Sequence, residues 1–373
     1  MFKTVLVLGH IRGIRIEIHV SWVFIFVLLL ASMIAGFRHQ YPDWSMAVTL
    51  VTALLTVLAF FASIVAHEFG HSLVAIRRGV PVKAITLFIF GGVAQMTRDS
   101  DRADDEFWIA IAGPAVSFAL AALFGVLAQL TGGWVEPLGV ALGWLALINL
   151  VVAVFNLIPG FPLDGGRVFR ALVWKVTGDA RKGINAAVAG GRIVAYGLFA
   201  FALWNILVVG NVIGGLWILL IAWFLLTMAQ GQGRMFDLRE KLTGIRARDL
   251  ADTDVPMVAP QMSVEDWING FVLRSGQRSS MVGDGARATG LVTLSDARKV
   301  PREAWAATRV ADVMTPLEGL SRVGADTGAH EILQLMSERN LNQIPVMDGD
   351  RVSGWIDRHR LLRTIDLRME LKA

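Results

Sequence analysis

From Trp44 to Ala66 the chain carries no charged side chain, and equally uncharged intervals run from Phe107 to Val135 and from Ile193 to Gly233. About 20 apolar residues in a helix span the hydrocarbon of a bilayer, so each interval is long enough to cross one. In lipid every backbone N–H and C=O must be paired within the chain, which leaves helices and closed barrels. The runs are continuously apolar, without the alternation of a barrel strand, and predict helices. Composition agrees: 54% of the 373 residues are hydrophobic and only 18% charged, a charged share below that of an ordinary soluble domain. The expected fold class is an α-helical polytopic membrane protein with short membrane-associated β elements, followed by a soluble α/β region.

Six spans are expected. The first opens at His19-Val20-Ser21-Trp22 and runs to about Gly36, and the second runs from near Met46 past His71 to Arg77-Arg78. The third lies between Glu106 and Glu136 and the fourth from about Leu138 to Ile158. The Gly210-Asn211 break divides Ile193–Gly233 into two short spans. Upstream, the alternation around Arg12, Gly13 and Arg15 predicts a strand or hairpin at the membrane surface. The charges before the first apolar run, with no small-residue cleavage site, argue against a cleavable signal peptide.

Basic residues orient these spans. Lys3, Arg12 and Arg15 precede the first; Arg77, Arg78, Lys83, Arg98 and Arg102 lie between the second and third. Arg167, Arg170, Lys175, Arg181, Lys182 and Arg192 lie between the fourth and fifth, and Arg234, Arg239 and Lys241 follow the sixth. The opposite loops hold Arg38 and little else. The positive-inside rule then puts both termini in the cytoplasm. The modest net charge of +4 is explained by this loop placement, and no nucleic-acid partner is expected.

Into the second span the chain inserts His67-Glu68-Phe69-Gly70-His71. Two histidines four residues apart share a helical face and can bind one zinc ion together. The glutamate between them can act as general base toward a water. A helix end with surface-facing His and Glu is the plainer reading, but apolar residues flank the motif on both sides. An ionisable group at mid-membrane costs roughly 2.5–3.5 kcal/mol, and a metal offsets that cost. His67 stands ten residues before Arg77, so about 15 Å from that helix end, inside the hydrocarbon on the cytoplasmic half. The chain has no cysteine, so a metal must use His, Asp or Glu.

Zinc needs a third protein ligand and an open position. Asp164 is the candidate, in the segment from Asn156 to Gly166 that ends the fourth span at the same side. Pro159 and Pro162 break the helix there, and unwound chain at membrane depth is tolerated only where it lines protein or water. Spacing alone leaves Asp164 equally fit to be the N-cap of a helix over Gly165–Thr177. Val168, Leu172 and Trp174 among basic residues give that helix an interfacial character.

His67-Glu68-Phe69-Gly70-His71 on one span, with Asn156-x-x-Pro159-x-x-x-x-Asp164-Gly165 on a later one, resembles the site-2 protease family of intramembrane zinc metalloproteases, over roughly Val5 to Gln230. Ile18-His19-x-Ser21-Trp22 and Phe90-Gly91-Gly92-Val93 agree with that family. The resemblance implies that His67, His71 and Asp164 hold one zinc ion per chain and that Glu68 is the catalytic base and acid. It also implies a membrane-spanning protein substrate, often a membrane-held transcription regulator or anti-sigma factor.

A helical substrate hides its peptide bonds and must unwind before attack. Leu87–Val93 has the character of a short apolar strand, and Gly91 and Gly92 allow an extended substrate to approach and pair with it. A re-entrant packing segment is the competing reading. Asn156 can donate to the substrate backbone or oxyanion, or can form an interhelical hydrogen bond, as can Asn149. Ala112-Gly113-Pro114 has the character of a kink and close-packing site.

After a Gly-rich linker (residues 231–245, following a membrane domain over 1–230), residues 246–373 contain two similar units of α/β type. The first has Arg248-Asp249-Leu250, a helix near Val264–Leu273 and Gly290–Asp296; the second has Val310–Pro316, a helix Ala329–Arg339, Gln343–Asp348 and Gly354–Asp357. The pair resembles a tandem CBS (Bateman) module, which implies a regulatory adenine nucleotide, with Thr293 and Asp296 as ribose and phosphate contacts, and a homodimer through the module. In the second unit Asp357 and Arg360 replace the matching residues. A purely structural or dimerising pair is the alternative. For the whole chain the rival is a CBS-regulated metal ion transporter or channel, which would not need Glu68 between the two histidines.

Overall fold

The computed structural model describes residues 4–89, 91–97, 100–131, 134–254, 257–284, 288–349 and 351–371. Lys3, Phe90 and Arg98, and the side chains of Arg239, Lys241 and Arg360, lie outside that description. Two compact units divide the chain, Met1–Phe236 and Asp237–Ala373.

Among the described residues, six helices are long and apolar enough to cross a membrane: α1 (Val20–Gln40), α2 (Met46–Arg77), α3 (Ala103–Thr131), α4 (Glu136–Asn156), α6 (Ala180–Leu207) and α7 (Val212–Leu242). The shorter α5 (Asp164–Thr177) lies between α4 and α6. The break at Gly210-Asn211 falls where expected, and Gly210 takes a positive φ of 75°. The last two spans are longer than the charge-free windows. Helix α6 begins at Ala180 and runs through Arg181, Lys182 and the exposed Arg192. Backbone hydrogen bonding continues past basic side chains that reach out along the surface, so a charge-free window finds a helix's middle and misses its end. For the same reason α7 stays helical through Gly231 and Gly233 to Leu242.

The predicted surface hairpin is present: β1 (Thr4–Ile11) and β2 (Ile14–His19) pair antiparallel across Arg12 and Gly13. Both of those residues have positive φ (52° and 83°), as a tight two-residue hairpin turn requires. Strand β2 then pairs parallel with β3 (Val82–Phe88), and β3 pairs antiparallel with β4 (Gly91–Met96). The sheet order is β1-β2-β3-β4, so β4 is an edge. Ile14, Ile16 and Ile85 pack against Val65 and Phe69 of α2. That contact lays the sheet over the turn of α2 that holds the His-Glu-His motif. Ser21 ties the assembly together: its Oγ is 2.7 Å from His19 Nδ1 and accepts from the Ile89 N–H at 3.2 Å.

Opposite ends of the bundle differ in charge. At one end Trp44 Nε1 donates to Glu136 at 3.2 Å, joining the α1–α2 and α3–α4 connections. At the other, Arg78 meets Asp105 and Lys175 meets Asp104. Between the ends, Asn149 of α4 donates to Ser63 of α2 at 3.3 Å, the interhelical bond expected of it.

The second unit contains the anticipated repeat. In its first half β5 (Met257–Val258) pairs parallel with β6 (Ser279–Gly283) and β6 antiparallel with β7 (Ala288–Thr293), with helical chain from Val264 to Ser275 between β5 and β6. The edge strand β8 (Thr315–Pro316) completes that sheet. In its second half β9 (Val323–Gly324) and β10 (Gln343–Asp348) are parallel, β11 (Arg351–Asp357) is antiparallel, and helix Ala329–Glu338 fills the crossover. Each half buries its own apolar cluster, around Trp267 and around Ile332 and Met336. Trp267 is fully buried and its Nε1 donates to Ser280 at 2.8 Å. Trp267→Ala is expected to lower stability by about 3–5 kcal/mol, read as an earlier thermal transition of this unit in the full chain.

Candidate metal centre

The buried face of α2 is unusually polar: Thr49, Thr52, Thr56, Ser63, His67, His71 and Ser72 all lie on it. The hydroxyls bond within the helix, Thr56 to the Thr52 carbonyl at 2.6 Å and Ser72 to that of Glu68 at 2.8 Å. They satisfy themselves where lipid offers no partner. The two histidines instead point their Nε2 atoms at one spot.

Asp164 arrives at that spot from the chain after α4. Its Oδ2 lies 3.2 Å from His67 Nε2 and 3.2 Å from His71 Nε2, and the two Nε2 atoms are themselves 3.2 Å apart. Leu163 is the N-cap of α5, and Asp164 is the first residue inside the helix, its carboxylate turned to the histidines. Gly165 and Gly166 let α5 press against the unwound chain, since a Cβ on either would fall on backbone of Leu157 or Gly160.

The three ligand atoms fit zinc. Metal–ligand bonds of about 2.0–2.1 Å at tetrahedral angles separate ligand atoms by about 3.3 Å, close to the observed triangle. His71 Nδ1 donates to the carbonyl of Ile109 at 2.7 Å, so in the neutral ring Nε2 carries a lone pair. That lone pair, the His67 Nε2 and the carboxylate oxygen together form a nitrogen and oxygen donor set suited to a cation. His67 Nδ1 is 2.8 Å from Ser117 Oγ, so both rings are oriented from α3 through the nitrogen that faces away from the metal position.

Helix α3 also makes the room. A Cβ on Gly113 would fall on Nε2 of His71 and 2.6 Å from Nε2 of His67. This segment is more than the kink and packing site its sequence indicates. Ser117 and the Ile109 carbonyl escape sequence reasoning. A serine in an apolar helix ordinarily bonds its own backbone, and a carbonyl has no residue signature.

Glu68 faces the sheet. A Cβ on Gly92 of β4 would lie 2.6 Å from the Cγ of Glu68. Gly92 therefore makes space for Glu68 at the free edge of the sheet, and Gly91 beside it has a φ of 131°. Asn156 is the last residue of α4, partly buried, eight residues before Asp164.

In the second unit Thr293 and Asp296 lie together in a cleft of about 1040 Å3, lined also by Arg278, Arg298, Asp357 and Arg358. They form a capping box: Thr293 Oγ1 donates to Asp296 Oδ2 at 2.7 Å and accepts from the Asp296 N–H at 3.3 Å. Asp296 also pairs with Lys299 at 2.8 Å. Asp357, the residue in the Thr293 position of the second half, accepts from Gln343 at 3.2 Å and from the His359 N–H at 2.7 Å.

Residues 55–137 and 134–203 match the model of peptidase family M50, and residues 310–367 match the CBS domain. The Rip3 protein of Mycobacterium tuberculosis is 36% identical over 373 residues, covering 96% of this chain and 92% of its own. A zinc metalloprotease of Methanocaldococcus jannaschii is 30% identical over 369 residues, covering 98% and 97%. A solved site-2 protease structure from the same organism is 31% identical, covers 61% of this chain and 94% of that one, and has a TM-score of 0.41. The chain belongs to the M50 family of site-2 protease-like zinc metalloproteases and carries a CBS domain at its C-terminal end. It is a multi-pass membrane protein and a metalloprotease, which sets aside the transporter reading.

Gly113→Ala is expected to abolish zinc retention while leaving helix content intact, measured as metal per chain after dialysis against a weak chelator.

Proposed function

We propose that the chain hydrolyses peptide bonds of membrane-spanning protein substrates within the bilayer, with His67, His71 and Asp164 as zinc ligands and Glu68 as base and acid. The observation that carries this is the 3.2 Å triangle of ligand atoms inside helices apolar enough to cross a membrane. Zinc, when bound, supplies a Lewis acid that polarises the scissile carbonyl and the attacking water. Glu68 takes the proton of that water and delivers it to the leaving amine. Glu68→Gln should leave zinc bound and lower cleavage of a membrane-embedded peptide by about 10²-fold or more. Full activity in that variant would refute this assignment.

The free edge of β4 supports strand addition as the way an unwound substrate is held. Gly92 lies against Glu68, so a strand paired there would run past the base. Asn156, at the mouth of the unwound segment, is assigned to the substrate backbone or oxyanion. Because Gly92 touches Glu68, enlarging it cannot separate pairing from damage to the base. The absence of cysteine offers a cleaner route through the exposed Val93. Val93→Cys should crosslink to single cysteines at alternate positions of a substrate; a three-to-four-residue period would mean a helical substrate and end the pairing idea.

Both termini and the CBS pair are assigned to the cytoplasm. The clustering of Arg78, Arg167, Arg170 and Lys175 at one end of the bundle supports this through the positive-inside rule. The substrate class is a single-span membrane protein, such as a membrane-held transcription regulator or anti-sigma factor. The cleft around Thr293 and Asp296 is assigned to one regulatory adenine nucleotide per chain, and the CBS pair to homodimer formation. Calorimetric titration of ATP, ADP and AMP into the full chain should give a one-site isotherm for at least one of them, lost in Asp296→Ala. Flat titrations for all three would leave the pair a structural module.

A further inference from the structure

Three acids in a row open α3, and they have different partners. Asp104 pairs with Lys175 at 2.6 Å and Asp105 with Arg78 at 2.8 Å. Lys175 and Arg78 are well exposed, and water screens such pairs to small contributions. Glu106 is only 1% exposed. Its Oε1 accepts from Arg167 Nε at 3.1 Å and lies 3.6 Å from Nη1 of Arg170. Removing a carboxylate from water carries a heavy penalty unless cations compensate it, and two guanidinium groups, with their fixed planar geometry, do so here.

Both arginines belong to α5, the helix whose first residue is Asp164. Arg167 stands three residues after Asp164, on the same face. An apolar contact between α3 and α5 would hold the helices together equally well. A buried charge with forked partners also fixes how α5 is rotated and how far it has slid. We propose that Glu106 is a positioning residue for the metal centre: through Arg167 and Arg170 it fixes α5, and so sets where the Asp164 carboxylate meets the two histidines.

The arrangement of α3 carries the inference further. Glu106, Ile109, Gly113 and Ser117 follow one another at helical steps of three and four, on one face. Ser117 holds His67, the Ile109 carbonyl holds His71, Gly113 leaves the space between them, and Glu106 holds the helix that brings Asp164. A single helix that supplies no ligand thus sets the position of all three. The inference rests on the reading of Asp164 as a zinc ligand.

The test uses the full chain in detergent, with zinc affinity from chelator competition and the d–d bands of the cobalt(II)-substituted protein. Glu106→Gln is expected to weaken zinc binding 10- to 100-fold, the range for loss of an outer-sphere partner, and to shift the cobalt bands because the carboxylate is displaced. Wild-type affinity would overturn the proposal, and so would weaker binding with unshifted bands, which would mark a general loosening. Arg167→Gln carries the same expectations from the other end of the contact, should Glu106→Gln fail to fold. Asp164→Asn separates the two levels: wild-type zinc affinity there would refute Asp164 as a ligand, whereas weakened binding there beside a silent Glu106→Gln would refute only the positioning role.

Discussion

Two imidazole nitrogens and a carboxylate oxygen converge to 3.2 Å of one another, and in a bilayer there is little water to solvate so polar a cluster. Such a donor set suits a shared cation, and holding it in place needs a rigid frame. The frame is what most of the membrane unit supplies. Helix α2 provides the histidines, and α3 orients both rings from the far side. Helix α5, pressed against the unwound chain after α4, delivers the aspartate. With their outward nitrogens already engaged, both rings turn their inward nitrogens to the same spot.

The four-stranded sheet answers a different demand. Hydrolysis needs an extended peptide and a base, and neither is at home among apolar helices. Residues Val65 and Phe69, either side of Glu68, seat the sheet on α2 through Ile14, Ile16 and Ile85. Its free edge then runs beside Glu68. Ser21 connects the start of α1 to the turn before β4, which gives a physical reason for the His19-x-Ser21 pattern at the head of the first span.

Much of this was legible in the sequence, and the remainder failed for identifiable reasons. Uncharged apolar runs reveal six helices because lipid permits little else, yet they misjudge the ends of α6 and α7, where backbone hydrogen bonding outlasts the apolar window. The Arg12-Gly13 turn marks its hairpin. The parallel pairing of β2 with β3 has no local mark, since two helices separate the strands. Spacing alone left Asp164 open because an N-cap and a metal ligand require the same side chain, and it was the resemblance that favoured the ligand. Ser117 and Ile109 were invisible for a deeper reason: one usually serves its own helix, and the other acts through its backbone. In the second unit the repeat was readable from two similar segments, whereas the capping box that joins Thr293 to Asp296 depends on the local turn.

Zinc K-edge absorption of the full chain in lipid tests the central claim most directly. Four nitrogen or oxygen neighbours at about 2.0–2.1 Å, with multiple scattering from two imidazoles, is the predicted result. A six-coordinate ion, a single imidazole, or failure of the purified chain to hold zinc at all would contradict it.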